Sequence, residues 1–240
     1  MVYEQTVSSA GTELDFLNAV YDWFLAIDGV VMNPTKDNLE VTFNTVLETS
    51  DYFTFTMTFR NVVFCFRREN IGKNNKNYRY GVSVNGTSYS ETLISVSSSS
   101  QYYNIHTDRQ IKLKLINYSA GFKWGIGNYN ATTLAVQRIF ILANSSILYS
   151  TSQPSSGRLS ENTFETMNGS TSYQFAQMLS YVAGEDSIDY FRFSVLCDSS
   201  LQKVAILDNL NHCSTVPLDQ ILVVDGKNYY SIATDCIVEV

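Results

Sequence analysis

The stretch Tyr52–Phe59 alternates an aromatic residue or Met with Thr or, once, with Phe53 at its head, and then runs Phe, Thr, Phe, Thr, Met, Thr, Phe. A period of two sends successive side chains to opposite faces, so this segment predicts a half-buried strand. Arg60-Asn61 offers a turn, and Val62–Phe66 a returning strand. Tyr78, Tyr80, Val82 and Val84 alternate again up to Asn85-Gly86, a favoured pair for a two-residue hairpin, with Ser88–Ile94 as partner. Ile111, Leu113 and Leu115 alternate with Lys112 and Lys114, an edge-like pattern with the basic residues outward. Val136–Ala143 reads as a buried strand. Ile221–Val224, Asp225-Gly226 and Tyr229–Ile232 predict a second hairpin, and Cys236–Val240 a last strand. Short strands joined by such turns predict a mainly β chain, an antiparallel sandwich or barrel.

Ahead of the strands the period is helical. Leu14, Leu17, Tyr21 and Phe24 form one apolar stripe, and Phe16, Val20, Trp23 and Ile27 a second beside it. Thr12 is a good N-cap, and Gly29 supplies a left-handed stop. A helix this apolar buries more than one side. It is either clamped under a sheet or shared between a sheet and a neighbouring subunit. The second reading makes Leu14, Leu17, Tyr21, Trp23 and Phe24 an interface. Phe175, Met178, Leu179 and Val182 predict one further short helix. Ser97–Ser100 and Ser150–Gly157 read as loops, which divides the chain into a segment 1–32 with the helix, a sandwich body 33–149 and a second β-rich lobe 158–240.

Charged residues make up 16% of the 240, against roughly 25% in ordinary domains. Ser, Thr and Asn are abundant, at 28, 20 and 20. A net charge of −7 with 16 basic residues argues against nucleic acid as a partner, since phosphate binding needs a concentrated cationic field. The apolar runs are too short to span about 30 Å of hydrocarbon, so no membrane insertion is expected. The start, Met1-Val2-Tyr3-Glu4, has neither a basic nor an apolar leader region, which reads as a chain that is not exported.

Few residues suggest chemistry. Cys65, Cys197, Cys213 and Cys236 are widely spaced and read as buried free thiols rather than a disulfide framework or a zinc site. Neither His106 nor the neighbours His212 and Cys213 suggest a nucleophile pair, because adjacent residues on a strand point apart. Gly121, Gly125 and Gly127 read as a loop without the features of a phosphate cradle. Glu185, Asp186 and Asp189 are the densest acidic cluster; a solvated loop is the expectation, and a glycan-cleaving carboxylate pair the alternative. No catalytic residue, metal or cofactor is expected. In Tyr102-Tyr103 and Tyr229-Tyr230 one ring of each pair should face outward, where it could stack on a sugar or anchor a protein.

The opening Tyr3-Glu4-Gln5-Thr6, the helix Leu14-Asp15-Phe16-Leu17-Asn18 through Trp23-Phe24, the Thr- and aromatic-rich β body and the closing Val224-Asp225-Gly226-Lys227-Asn228-Tyr229-Tyr230 and Ile237-Val238-Glu239-Val240 together resemble structural proteins of tailed-bacteriophage virions, tail-tip and baseplate-associated ones in particular. The resemblance implies a β-sandwich, assembly with itself as a trimer or ring and with other virion proteins, and a role in tail architecture or host attachment; the alternative reading is a module that binds host cell-surface polysaccharide through Tyr102, Tyr103, Tyr229 or Tyr230. The resemblance implies a virion location after assembly in the host cytoplasm. It carries no site residues.

Overall fold

A computed structural model describes residues 1–8, 13–33, 53–70, 76–84, 102–104, 110–128, 136–143, 145–150, 157–166, 171–176, 190–191 and 193–240. The Asn85-Gly86 turn with its partner Ser88–Ile94, the Ser97–Ser100 run, His106, and the acidic cluster at Glu185, Asp186 and Asp189 lie outside these residues.

The elements in chain order are β1 (Val2–Ser8), α1 (Glu13–Leu25), β2 (Val31–Asn33), β3 (Phe53–Phe59), β4 (Val62–Asn70), β5 (Lys76–Val84), β6 (Tyr102–Asn104), β7 (Gln110–Tyr118) and β8 (Gly121–Asn128). There follow β9 (Val136–Ala143), β10 (Ser146–Ser150), β11 (Thr163–Thr166), β12 (Ser172–Phe175), β13 (Tyr190–Phe191), β14 (Ser194–Asp198) and β15 (Lys203–Leu207). The chain closes with β16 (Asn211–Cys213), β17 (Ile221–Val224), β18 (Lys227–Ala233) and β19 (Cys236–Glu239). The described structure is mainly β, and the strand pairs with a described register are antiparallel. The strands form three sheets, ordered β1-β7-β8-β9-β10-β11-β12-β14-β15, β13-β16-β19-β18-β17 and β2-β3-β4-β5-β6. Each order has two ends, so among the described residues none closes into a barrel.

The chain divides into two compact units. One comprises Glu4–Leu113 and Ile126–Val136. In it the alternation of β3 buries Phe55, Met57 and Phe59 on one face. Arg60 and Asn61 both take positive φ (48° and 64°), the twist a two-residue hairpin requires, and Phe59 pairs with Val62 across it. Helix α1 packs here: the Tyr21 and Phe24 rings meet Phe55 edge-on at 5.4 and 6.2 Å. The helix ends at Leu25, and Gly29, at φ 79°, sits in the following turn closed by the Val30 N–H on the Ile27 carbonyl, so it is not the expected helix stop.

The other unit comprises Met1–Tyr3, Lys114–Gly125 and Gln137–Val240. Its main core draws on two sheets: Ile116, Ile141, Phe164 and Leu196 from the nine-stranded one, Tyr230 and Val238 from the five-stranded one. A smaller cluster, Cys213, Val224, Tyr229 and Ile237, lies on the other side of the five-stranded sheet. At the β17–β18 turn Asp225 and Gly226 have φ 50° and 74°, and Val224 pairs with Lys227.

Three further expectations change. β7 is not an edge, because β1 pairs along it and β8 lies on its other side. Its Lys114 is buried, with the ammonium 5.1 Å from the Tyr230 ring centre. Gly121–Asn128 is a strand and not a loop, and a Cβ on Gly121 would overlap the Phe140 carbonyl oxygen. Gly121 there permits close backbone approach. Phe175, expected on a helix, lies on the strand Ser172–Phe175, paired with β11 and β14, so sheet partners override a weak helical period there. Met178, Leu179 and Val182 lie outside the described residues.

Candidate functional site

The helix proposed as an interface is largely covered by its own chain. Tyr21, Trp23 and Phe24 are 2%, 5% and 2% exposed. Val20 and Ile27 are buried too, so the described members of both apolar stripes are spent inside. Leu25 and Ala26 face outward. The side chains of Leu14 and Leu17 are outside the description. Tyr21, Trp23 and Phe24 are therefore covered within one copy and are not available to a neighbour.

Tyr229 and Tyr230 do not provide a stacking platform either, being 4% and 2% exposed. Adjacent rings do point to opposite faces of β18, but both faces of this sheet are packed. Tyr230 enters the main core and Tyr229 the smaller cluster, 5.8 Å from the Tyr190 ring. The premise that one ring must reach solvent holds only for a sheet with one wet face. Tyr102 and Tyr103 lie on β6, paired with Arg79 and Tyr78, and their side chains are outside the description.

A polar cluster surrounds Asp235, which no motif marked. Its buried carboxylate accepts the Leu159 N–H (2.5 Å), the Ser160 N–H (3.1 Å) and the Ser160 hydroxyl (2.5 Å). These bonds satisfy the start of the short 3-10 turn Leu159–Glu161. Burial holds His212 below its ordinary pKa, with Asp235 opposing. Burial, then Asp235, pushes the Cys213 thiol up to about 12. The Ser160 hydroxyl donates to the carboxylate, and the raised pKa keeps the Cys213 thiol protonated. Cys197, Cys213 and Cys236 are free and buried, and the Cys65 side chain lies outside the description. Among the described residues no group of three or more His, Cys, Asp or Glu is placed to hold a metal, and no helix is long and apolar enough to cross a membrane.

A second buried cluster joins β8 to the segment before β17. Lys123 Nζ lies 2.7 Å from Asp219 Oδ1 and donates to the Ile232 carbonyl at 2.9 Å. The Tyr230 hydroxyl donates to the same Asp219 oxygen at 3.2 Å. Both ionisable side chains are 4% exposed. Burial pulls the Lys123 pKa down, and Asp219 pulls it back up. The sequence signal was one lysine between Phe122 and Trp124 in an otherwise apolar, glycine-rich strand.

The open feature of this unit is the edge strand β17. Ile221 and Val223 are 62% and 71% exposed. Val224 and Lys227 close a two-residue hairpin, so the backbone groups of Leu222 and Val224 point toward β18. Gln220 continues the pattern, its carbonyl accepting from the Ser231 N–H. The N–H and C=O groups of Ile221 and Val223 therefore point away from the sheet. At the far end of the nine-stranded sheet, Ile206 on β15 is also exposed. No family model matches the chain, and no curated protein and no solved structure shows significant similarity to it.

Proposed function

We propose that the chain is a non-enzymatic structural component of a tailed-bacteriophage virion, built as a β-sandwich and joined to copies of itself and to other virion proteins through sheet edges. The observation that carries this reading is β17, where the outward amides and the exposed apolar side chains belong to the same two residues, Ile221 and Val223. Soluble chains blunt such edges with lysine, proline or a bulge, and Ile221–Val224 holds none of the first two. An antiparallel pair centred on Leu222 sets Ile221 of one copy opposite Val223 of the other, on one face. The depletion of charge and the abundance of tyrosine in the whole chain suit surfaces that end against other proteins.

An edge this short buries far less than the roughly 1,200 Å² of a stable pair. Two copies alone hold weakly, and many linked copies hold by effective concentration. Sedimentation velocity up to about 1 mM chain tests it. The expected result is an average mass that rises with concentration and stays monomeric in the double substitution Ile221→Lys, Val223→Lys. A monomer at every concentration, or association unaffected by that substitution, overturns the proposal.

A further inference from the structure

We propose that Lys123 and Asp219 condense into a side-chain amide, an internal cross-link that the folded chain forms on itself. The inference is independent of the assembly reading, because it concerns the interior of one unit in one copy. The two groups are set as reactants. A nitrogen 2.7 Å from a carboxylate oxygen has the carboxyl carbon about 3.5 Å away, within the near-attack range. The Ile232 carbonyl accepts from the same nitrogen and restrains it.

Burial makes the pair reactive instead of merely ionic. Water, which holds an ammonium and a carboxylate apart as ions, is excluded from both side chains. A second cation, Lys114, disfavours the charged form of Lys123. Passing a proton from the ammonium to the carboxylate leaves a neutral amine facing a neutral acid. The amine nitrogen then attacks Asp219 Cγ and the C–N bond forms. The Tyr230 hydroxyl, 3.2 Å from Oδ1, relays a proton from nitrogen to the departing oxygen. The C–OH bond breaks, one water leaves, and an amide remains. No oxidant, metal or activating group enters the balance.

The chain holds its own comparison. Lys227 Nζ and Glu239 Oε2 stand 3.0 Å apart, but both side chains are 57% exposed. Water keeps that pair ionic. The amide would link residues 96 apart in sequence, closing a ring from β8 to the segment before β17.

The test is the intact mass of the full chain in denaturant, followed by a proteolytic map. The expected mass is one water below the sequence mass, with a branched peptide joining Lys123 to Asp219 and none joining Lys227 to Glu239. Asp219→Ala and Lys123→Met should each restore the missing water, and Tyr230→Phe should lower the cross-linked fraction. The wild-type measurement requires no variant to fold. An unbranched wild-type map at full sequence mass overturns the proposal, as does a water loss mapped to any other pair.

Discussion

Two lysine–carboxylate pairs in one unit have nearly the same length and opposite surroundings. Lys123–Asp219 is 2.7 Å and 4% exposed on both sides; Lys227–Glu239 is 3.0 Å and 57% exposed. Distance alone would rank them together. Solvent separates them, because a buried charge that loses its partner has no water to replace it, whereas an exposed charge is rehydrated. A salt bridge is thus defined less by its two residues than by what surrounds them.

The comparison can be broken in order of expected effect. Asp219→Ala strands Lys123 in the interior and, with the cross-link lost as well, should cost at least about 3–5 kcal/mol in urea unfolding. A cost below about 1 kcal/mol would erase the distinction between the pairs. Tyr230→Phe keeps the ring under Lys114 and removes one hydroxyl from Asp219, for an expected loss of about 1–1.5 kcal/mol. Glu239→Ala should change stability by less than about 0.5 kcal/mol, and added salt should shrink even that.

A titration sharpens the same point. His212 has a folded pKa below 6.5 because burial disfavours its charged form. Between the folded value and 6.5 the unfolded chain binds the extra proton, so stability should fall as pH drops through that window. His212→Gln should flatten the fall, and a profile unchanged by this substitution would show that half-burial does not govern the imidazole. Lys123 follows the same sign at high pH. Its folded pKa is depressed, so in chains that retain the free amine its unfavourable contribution lifts as pH rises toward 10.5.

Much of the local structure is legible in the residues. The Phe-Thr alternation of β3, the turns at Arg60-Asn61 and Asp225-Gly226 and strand Val136–Ala143 follow from side-chain period and turn chemistry. The candidate site was not legible in the same way. Tyr229 and Tyr230 looked like surface rings, and Ile111–Leu115 like an edge. Both readings assumed one solvent-facing side for a strand whose neighbours the sequence does not name. Asp235 and Lys123 carried no motif, since their partners, Ser160 and Asp219, lie 75 and 96 residues away.

What the sequence determined by itself is part of the repertoire: several of the extended segments, two of the reversals, and that too few charges exist to wet every face. The tertiary structure decided which strands became edges and which faces became interior. It hid Trp23 and Phe24, left Ile221 and Val223 open, and closed Lys123 against Asp219 away from water. The reason is that period and turn preference act over a few neighbouring residues, whereas burial is set by strand order, which brings together residues that have no local claim on one another.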